Sequence, residues 1–161
     1  MSTAIIIISA LAALAAVGGT FMSRPWTPAA AFIAMLIAAS SDATDFSAAT
    51  IIFWLAAATI VTIIVMTLPR SVASSTTGVP YIAGAALCGL FIGLCISHAA
   101  IIIGTVTGAL LGAIAYCLSP AGRSLGFPGR KAVNYLCAKA FPIVITLCIT
   151  GELIAALVAT I

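Results

Sequence analysis

From Ser47 to Leu68 the chain runs for 22 residues without a charged side chain, rich in β-branched residues, and stops at Pro69-Arg70. A helix rises about 1.5 Å per residue, so this run matches the roughly 30 Å hydrocarbon core of a bilayer. Lipid offers the backbone no hydrogen bonds, which leaves only α-helices and closed β-barrels as spanning structures. A barrel would alternate apolar and polar residues in segments of about ten, whereas the runs here are continuously apolar. Only 6% of the 161 residues are charged, against roughly 25% in a soluble domain. The expected fold class is an all-α integral membrane protein forming a single transmembrane domain over residues 1–161.

Further apolar runs place spans at about residues 4–22, 26–41, 47–68, 81–96, 99–118 and 142–160. No basic residue precedes the first run, which is too long for a signal-peptide core, so it reads as a retained span. The turn Ser23-Arg24-Pro25-Trp26-Thr27-Pro28 ends the first run and starts the second, since proline cannot continue a helix but suits a first turn. The second run is slightly under the usual spanning minimum of about 17 residues. It is either a short crossing or a re-entrant helix, giving a bundle of six transmembrane helices or of five plus one re-entrant. Asp45 or Ser47 can cap the third helix. Ser97-His98 separates the fourth and fifth runs by so little that they must form a hairpin. The stretch from Ser119 to Phe141 holds Arg123, Arg130, Lys131 and Lys139, and its second half reads as an interfacial helix with Val133, Leu136, Cys137 and Phe141 on one face.

Six crossings place all six Lys and Arg residues on one side, and Asp42, Asp45 and His98 on the other. A re-entrant second run would move Arg24 across. The positive-inside rule favours six crossings of the cell inner membrane, with the basic loops cytoplasmic and both termini outside. Neither the net charge of +3 nor its scatter makes a nucleic-acid tract. Four cations in one loop could engage anionic lipid, but they are close to what topology alone requires.

Gly104, Gly108 and Gly112 recur every four residues in GTVTGALLG, and Gly89 and Gly93 do so in GLFIG. Residues four apart share a helix face, and small residues there let backbones approach closely enough to gain contacts that lipid tails cannot supply. The expectation is a glycine-zipper hairpin of helices four and five. The segment Gly84 to Gly112, together with the SRPWTP turn, resembles the small bacterial membrane proteins grouped as Domain of Unknown Function 456. That resemblance implies a six-helix or near-six-helix protein with no established reaction. The chain departs from the family pattern at Ala113, where an acidic residue often stands, and at Glu152, near which a basic one often does.

Glu152 lies within the last apolar run, where a lipid-exposed charge costs several kcal/mol, so it should face the bundle, be protonated or be paired. It is a candidate proton or ion site, or else a carboxyl that joins helices, with Thr59, Thr62, Thr105 and Thr107 as available partners. His98, with Asp42 and Asp45, forms a weak candidate for an external cation site. Ser97 is adjacent to His98 on a tight turn and cannot easily point its hydroxyl at that ring, so a catalytic triad is not expected. Five cysteines without a CxxC pattern give neither a disulfide framework nor a zinc site. No Walker loop or HExxH helix is present, and no cofactor or metal is expected. Two functions stay open. One is a non-enzymatic structural or accessory component whose partners are the lipid bilayer and either further copies of itself or a larger membrane protein. The other is a minimal proton- or cation-coupled transporter or channel using Glu152, an idea joined by the two halves of three runs, inverted relative to each other.

Overall fold

A computed structural model describes residues 2–22, 26–40, 44, 46–68, 77–125 and 129–159. Among these the chain is all-helical: α1 (Ser2–Phe21), α2 (Thr27–Ala39), α3 (Ala48–Thr67), α4 (Val79–Leu94), α5 (His98–Leu118) and α6 (Arg130–Val158), with a 3-10 turn at Arg123–Leu125. Four stretches, Ala4–Phe21, Ala48–Thr67, His98–Leu118 and Arg130–Val158, are long and apolar enough to cross a membrane. The helices α2, of 13 residues, and α4, of 16, are shorter. At about 20 and 24 Å they fall below the thickness of the hydrocarbon core.

Local chemistry sets the helix starts. Ser47 Oγ accepts from the Thr50 N–H at 3.2 Å and Ser97 Oγ from the Ala100 N–H at 3.2 Å, each satisfying one of the orphan donors of a first helical turn. Pro28 and Pro80 occupy first turns, where a missing N–H costs nothing. Gly78 precedes α4 with φ 79°, a left-handed conformation that strains other residues. A Cβ there would also collide with the Tyr135 hydroxyl and the Tyr116 ring. The Tyr135 hydroxyl donates to the Thr77 carbonyl at 2.6 Å and its ring stacks on Tyr116 at 5.4 Å, tying the start of α4 to the ends of α5 and α6.

The longest helix is the central one. All five other helices pack on α6, and residues from Ala132 through Leu153 supply much of the core. The expected boundary at Pro142 does not exist: the segment 130–141 continues into the last run as one helix of 29 residues, about 43 Å long. Proline removes only one intrahelical hydrogen bond, and packed neighbours hold the helix together across it. Lys139, read from the sequence as part of an interfacial helix, is instead carried into the packed core of this longer helix and is 2% exposed.

The α4–α5 hairpin is closely packed along its whole length. Tyr81, Ala85, Gly89 and Gly93 on α4 meet Gly112, Gly108, Gly104 and Ala100 on α5, in steps of four along both helices. A Cβ placed on Gly89 would run into the Gly104 carbonyl, and one on Gly104 into that of Gly89. Gly93 faces Ala100, Gly108 faces Ala85 and Gly112 faces Tyr81 in the same way. Gly151 of α6 seats this pair on the central helix, with Ile101 and Leu90 side chains at 2.8 and 3.1 Å from a hypothetical Cβ.

Candidate functional site

The two ends of the bundle differ chemically. One carries Thr77, Gly78, Tyr116 and Tyr135 together with the exposed Arg123, Arg130 and Lys131. The other carries the tip of the α4–α5 hairpin and the last turns of α6, and here His98 and Glu152 come together. His98 Nδ1 stands 3.7 Å from Glu152 Oε2, an ion-pair separation too long for a direct hydrogen bond. The imidazole is 68% exposed and the carboxyl side chain 14%.

Helix register explains the meeting. His98 opens α5, and Glu152 lies about 9 Å short of the end of α6 at Val158. Because α6 starts at Arg130, Glu152 is level with the first turn of α5. Its neighbourhood also includes the positive end of the α5 dipole, which favours an anion. Lys139, the charged residue buried on the same helix, is about 20 Å away along the axis and so cannot be its counter-ion.

Glu152 and His98 line a cleft of about 800 Å³. Its walls come from Thr44, Phe46 and the first turns of α3, from His98 and Ile102 of α5, and from Ala155, Ala156 and Ala159 of α6. The volume falls within the roughly 300–1,000 Å³ range of small-molecule sites, as does the pattern of an apolar lining with a few convergent polar groups. Thr44 is buried and donates to the Ala38 carbonyl at 2.7 Å, while the Ser47 and Thr50 hydroxyls lie 3.0 Å apart at the rim. Trp54 is 3% exposed and meets Phe53 edge-on with centroids 5.0 Å apart, which stiffens the aromatic wall. One turn deeper, Ile101, Cys148 and Ile149 are each at most 1% exposed, so the core is closed there.

Two features read separately in the sequence thus share one site. His98 of the candidate external cation site and Glu152 of the candidate proton site both face the cleft, while Asp42 and Asp45 lie outside the described residues. The threonines considered as partners of Glu152 bond instead to their own helices: Thr59 to Leu55, Thr62 to Ala58, Thr105 to Ile101 and Thr107 to Ile103, all at 2.7–2.8 Å. Ser97 spends its hydroxyl on capping α5. The aromatic wall and the alanine face of α6 were not legible as site features, because hydrophobic residues at helical spacing fit core, lipid face and pocket equally well. Among the described residues no group of three or more His, Cys, Asp or Glu is arranged to hold a metal, and the five cysteines are free thiols. The glycines Gly89, Gly93, Gly104, Gly108 and Gly112 lie within the hairpin, remote in role from the cleft. No family model, no curated protein and no solved structure matches the chain.

Proposed function

We propose that this chain is a small multi-pass protein of the cell inner membrane, a non-enzymatic structural or accessory component whose bundle crosses six times. In this reading α2 and α4 cross despite their length, because each packs on the longer central α6. Both termini lie outside. The end with Arg123, Arg130 and Lys131 is cytoplasmic, in keeping with the positive-inside rule. The α4–α5 pair serves as a glycine zipper that makes one rigid unit of two short elements. Those glycines are occupied within the chain, so self-association would need another face. Membership of the Domain of Unknown Function 456 family belongs to this proposal and rests on the segment Gly84 to Gly112 and the order of the runs.

One observation carries the choice between accessory and transport roles. The carboxyl of Glu152 is held against His98 at one end of the bundle, above a layer closed by Ile101, Cys148 and Ile149. A one-ended cleft supports binding more directly than conduction. The transport reading keeps one supporting feature, since Glu152 opens into a cleft and not into a dry helix seam. Proteoliposome flux of protons, Na⁺ and K⁺ separates the two, with wild type compared against Glu152→Gln and thermal stability measured alongside. No flux from either protein is the expected result. Flux that Glu152→Gln abolishes in a protein of unchanged stability would replace the accessory reading with the transporter.

A further inference from the structure

The cleft lies between two helices that do not pack along one another. The flanking α3 packs on α2 and α6, whereas α5 packs on α4 and α6. The gap between α3 and α5, with α6 behind it, is lined on the α3 side by Phe53, which is more than half exposed. Both flanks are long and apolar enough to cross a membrane. In the proposed embedding, a gap between two such helices opens sideways to lipid as well as at the end of the bundle, so a molecule of the bilayer can reach it.

Depth and chemistry narrow the occupant. Lining residues extend from the ends of the helices about two turns inward, which is the depth at which a lipid headgroup gives way to its chains. At that depth the wall is aromatic and alanine-rich, suited to hydrocarbon and, through its ring faces, to a cation. Among the described residues, the ionisable groups on it are Glu152, largely shielded, and His98, at the mouth. A shielded carboxylate in a cleft that also has aromatic lining selects a cationic group able to donate hydrogen bonds.

We propose that the cleft binds a membrane lipid whose headgroup carries a primary ammonium, with Glu152 receiving the ammonium and the Phe46, Phe53 and Trp54 wall holding the upper part of the chains. His98 then stands at the mouth, beside the phosphate that joins such a headgroup to its glycerol. This rests on the proposed embedding of the bundle in the membrane and holds for the accessory role. It would fail through lost lipid selectivity, whereas that role fails through ion flux.

The test uses the full chain, delipidated in a mild maltoside detergent and supplied separately with palmitoyl-oleoyl phosphatidylethanolamine, its N-acylated derivative and the matching phosphatidylglycerol. Native mass spectrometry reads the lipid retained. Retention of phosphatidylethanolamine is expected to exceed that of the other two by about tenfold, the worth of one charge-assisted hydrogen bond. Glu152→Gln should remove that preference while leaving the circular dichroism and the lipid-free melting temperature unchanged. Ala156→Trp, which fills the cleft from α6, should lower retention of every lipid. Soluble phosphoethanolamine at the same concentration should leave the bound lipid in place. Equal retention of the three lipids, a preference that survives Glu152→Gln, displacement by phosphoethanolamine, or a two-chain species that excludes lipid would each overturn the proposal.

Discussion

Two glycines on α4 allow the hairpin packing to be measured with a single kind of substitution. Gly89 faces the Gly104 carbonyl so closely that an added methyl would overlap backbone, while Gly84, on the same helix, has nothing within 4 Å of its hypothetical Cβ. Either change to alanine gains the same helix propensity, at most about 1 kcal/mol. The difference between them therefore reports the seam. Ordinary van der Waals contact begins at 3.4 Å, so Gly89→Ala must move the helices apart against rigid backbone on both sides. A gap of even 0.5–1 Å forfeits roughly a quarter to a half of each dispersion contact, and it would extend to the neighbouring layers at Gly93 and Gly108. Overpacking of this kind costs about 1–3 kcal/mol. We expect Gly89→Ala to be less stable than Gly84→Ala by that amount, read by circular dichroism during reversible unfolding in mixed maltoside and dodecyl sulfate micelles. Equal midpoints, or a more stable Gly89→Ala, would mean that the seam is looser than the described geometry and would refute the argument.

Gly78→Ala combines a strained φ of 79° with a clash against Tyr135 and Tyr116, so a loss of about 1–3 kcal/mol is expected in the same assay. Tyr135→Phe alone should cost about 1 kcal/mol through the lost bond to Thr77, and combined with Gly78→Ala it should relieve part of the clash, giving a total below the sum of the two. For orientation, a periplasm-active reporter is expected to work when fused after Ile161 and to fail when fused at Arg123; the opposite pattern would reverse the proposed topology.

The sequence reading and the fold agree where the local signal is strong. The uncharged run at 47–68 corresponds to α3, Ala48–Thr67, capped by Ser47, and the run at 99–118 to α5, His98–Leu118. The fourth helix starts at Val79, two residues before the expected run, because Gly78 and Pro80 make its first turn. Glycine periodicity identified a tight face but not its register: Ala85 and Ala100 complete the seam, and nothing in the composition distinguishes them from other alanines. Reading failed at Pro142, where a strong local breaker was overruled by packing on five neighbouring helices. That single error affected one charged residue. It set Lys139 in a separate interfacial helix, whereas one continuous helix carries the lysine into the packed core. The pairing of His98 with Glu152 depends on the relative heights of α5 and α6, a tertiary quantity that no residue pattern encodes.

The cleft has one fixed wall and one freer wall, and this follows from the same packing. His98 belongs to the first turn of α5, which the glycine-lined seam binds to α4 and which Gly151 seats on α6 through Ile101. Glu152, on the adjoining turn of the central helix, is fixed to the same block. The opposite wall is different: among the described residues α3 packs chiefly on α2 and α6, with Trp54, Ala58, Val61 and Val65 as its buried stripe and most of its remaining surface turned outward. Fewer buried contacts mean a lower free energy for local displacement. By that measure the aromatic wall on α3, with four buried residues along the helix, is held less firmly than the α5 side of the site, where eight residues are buried.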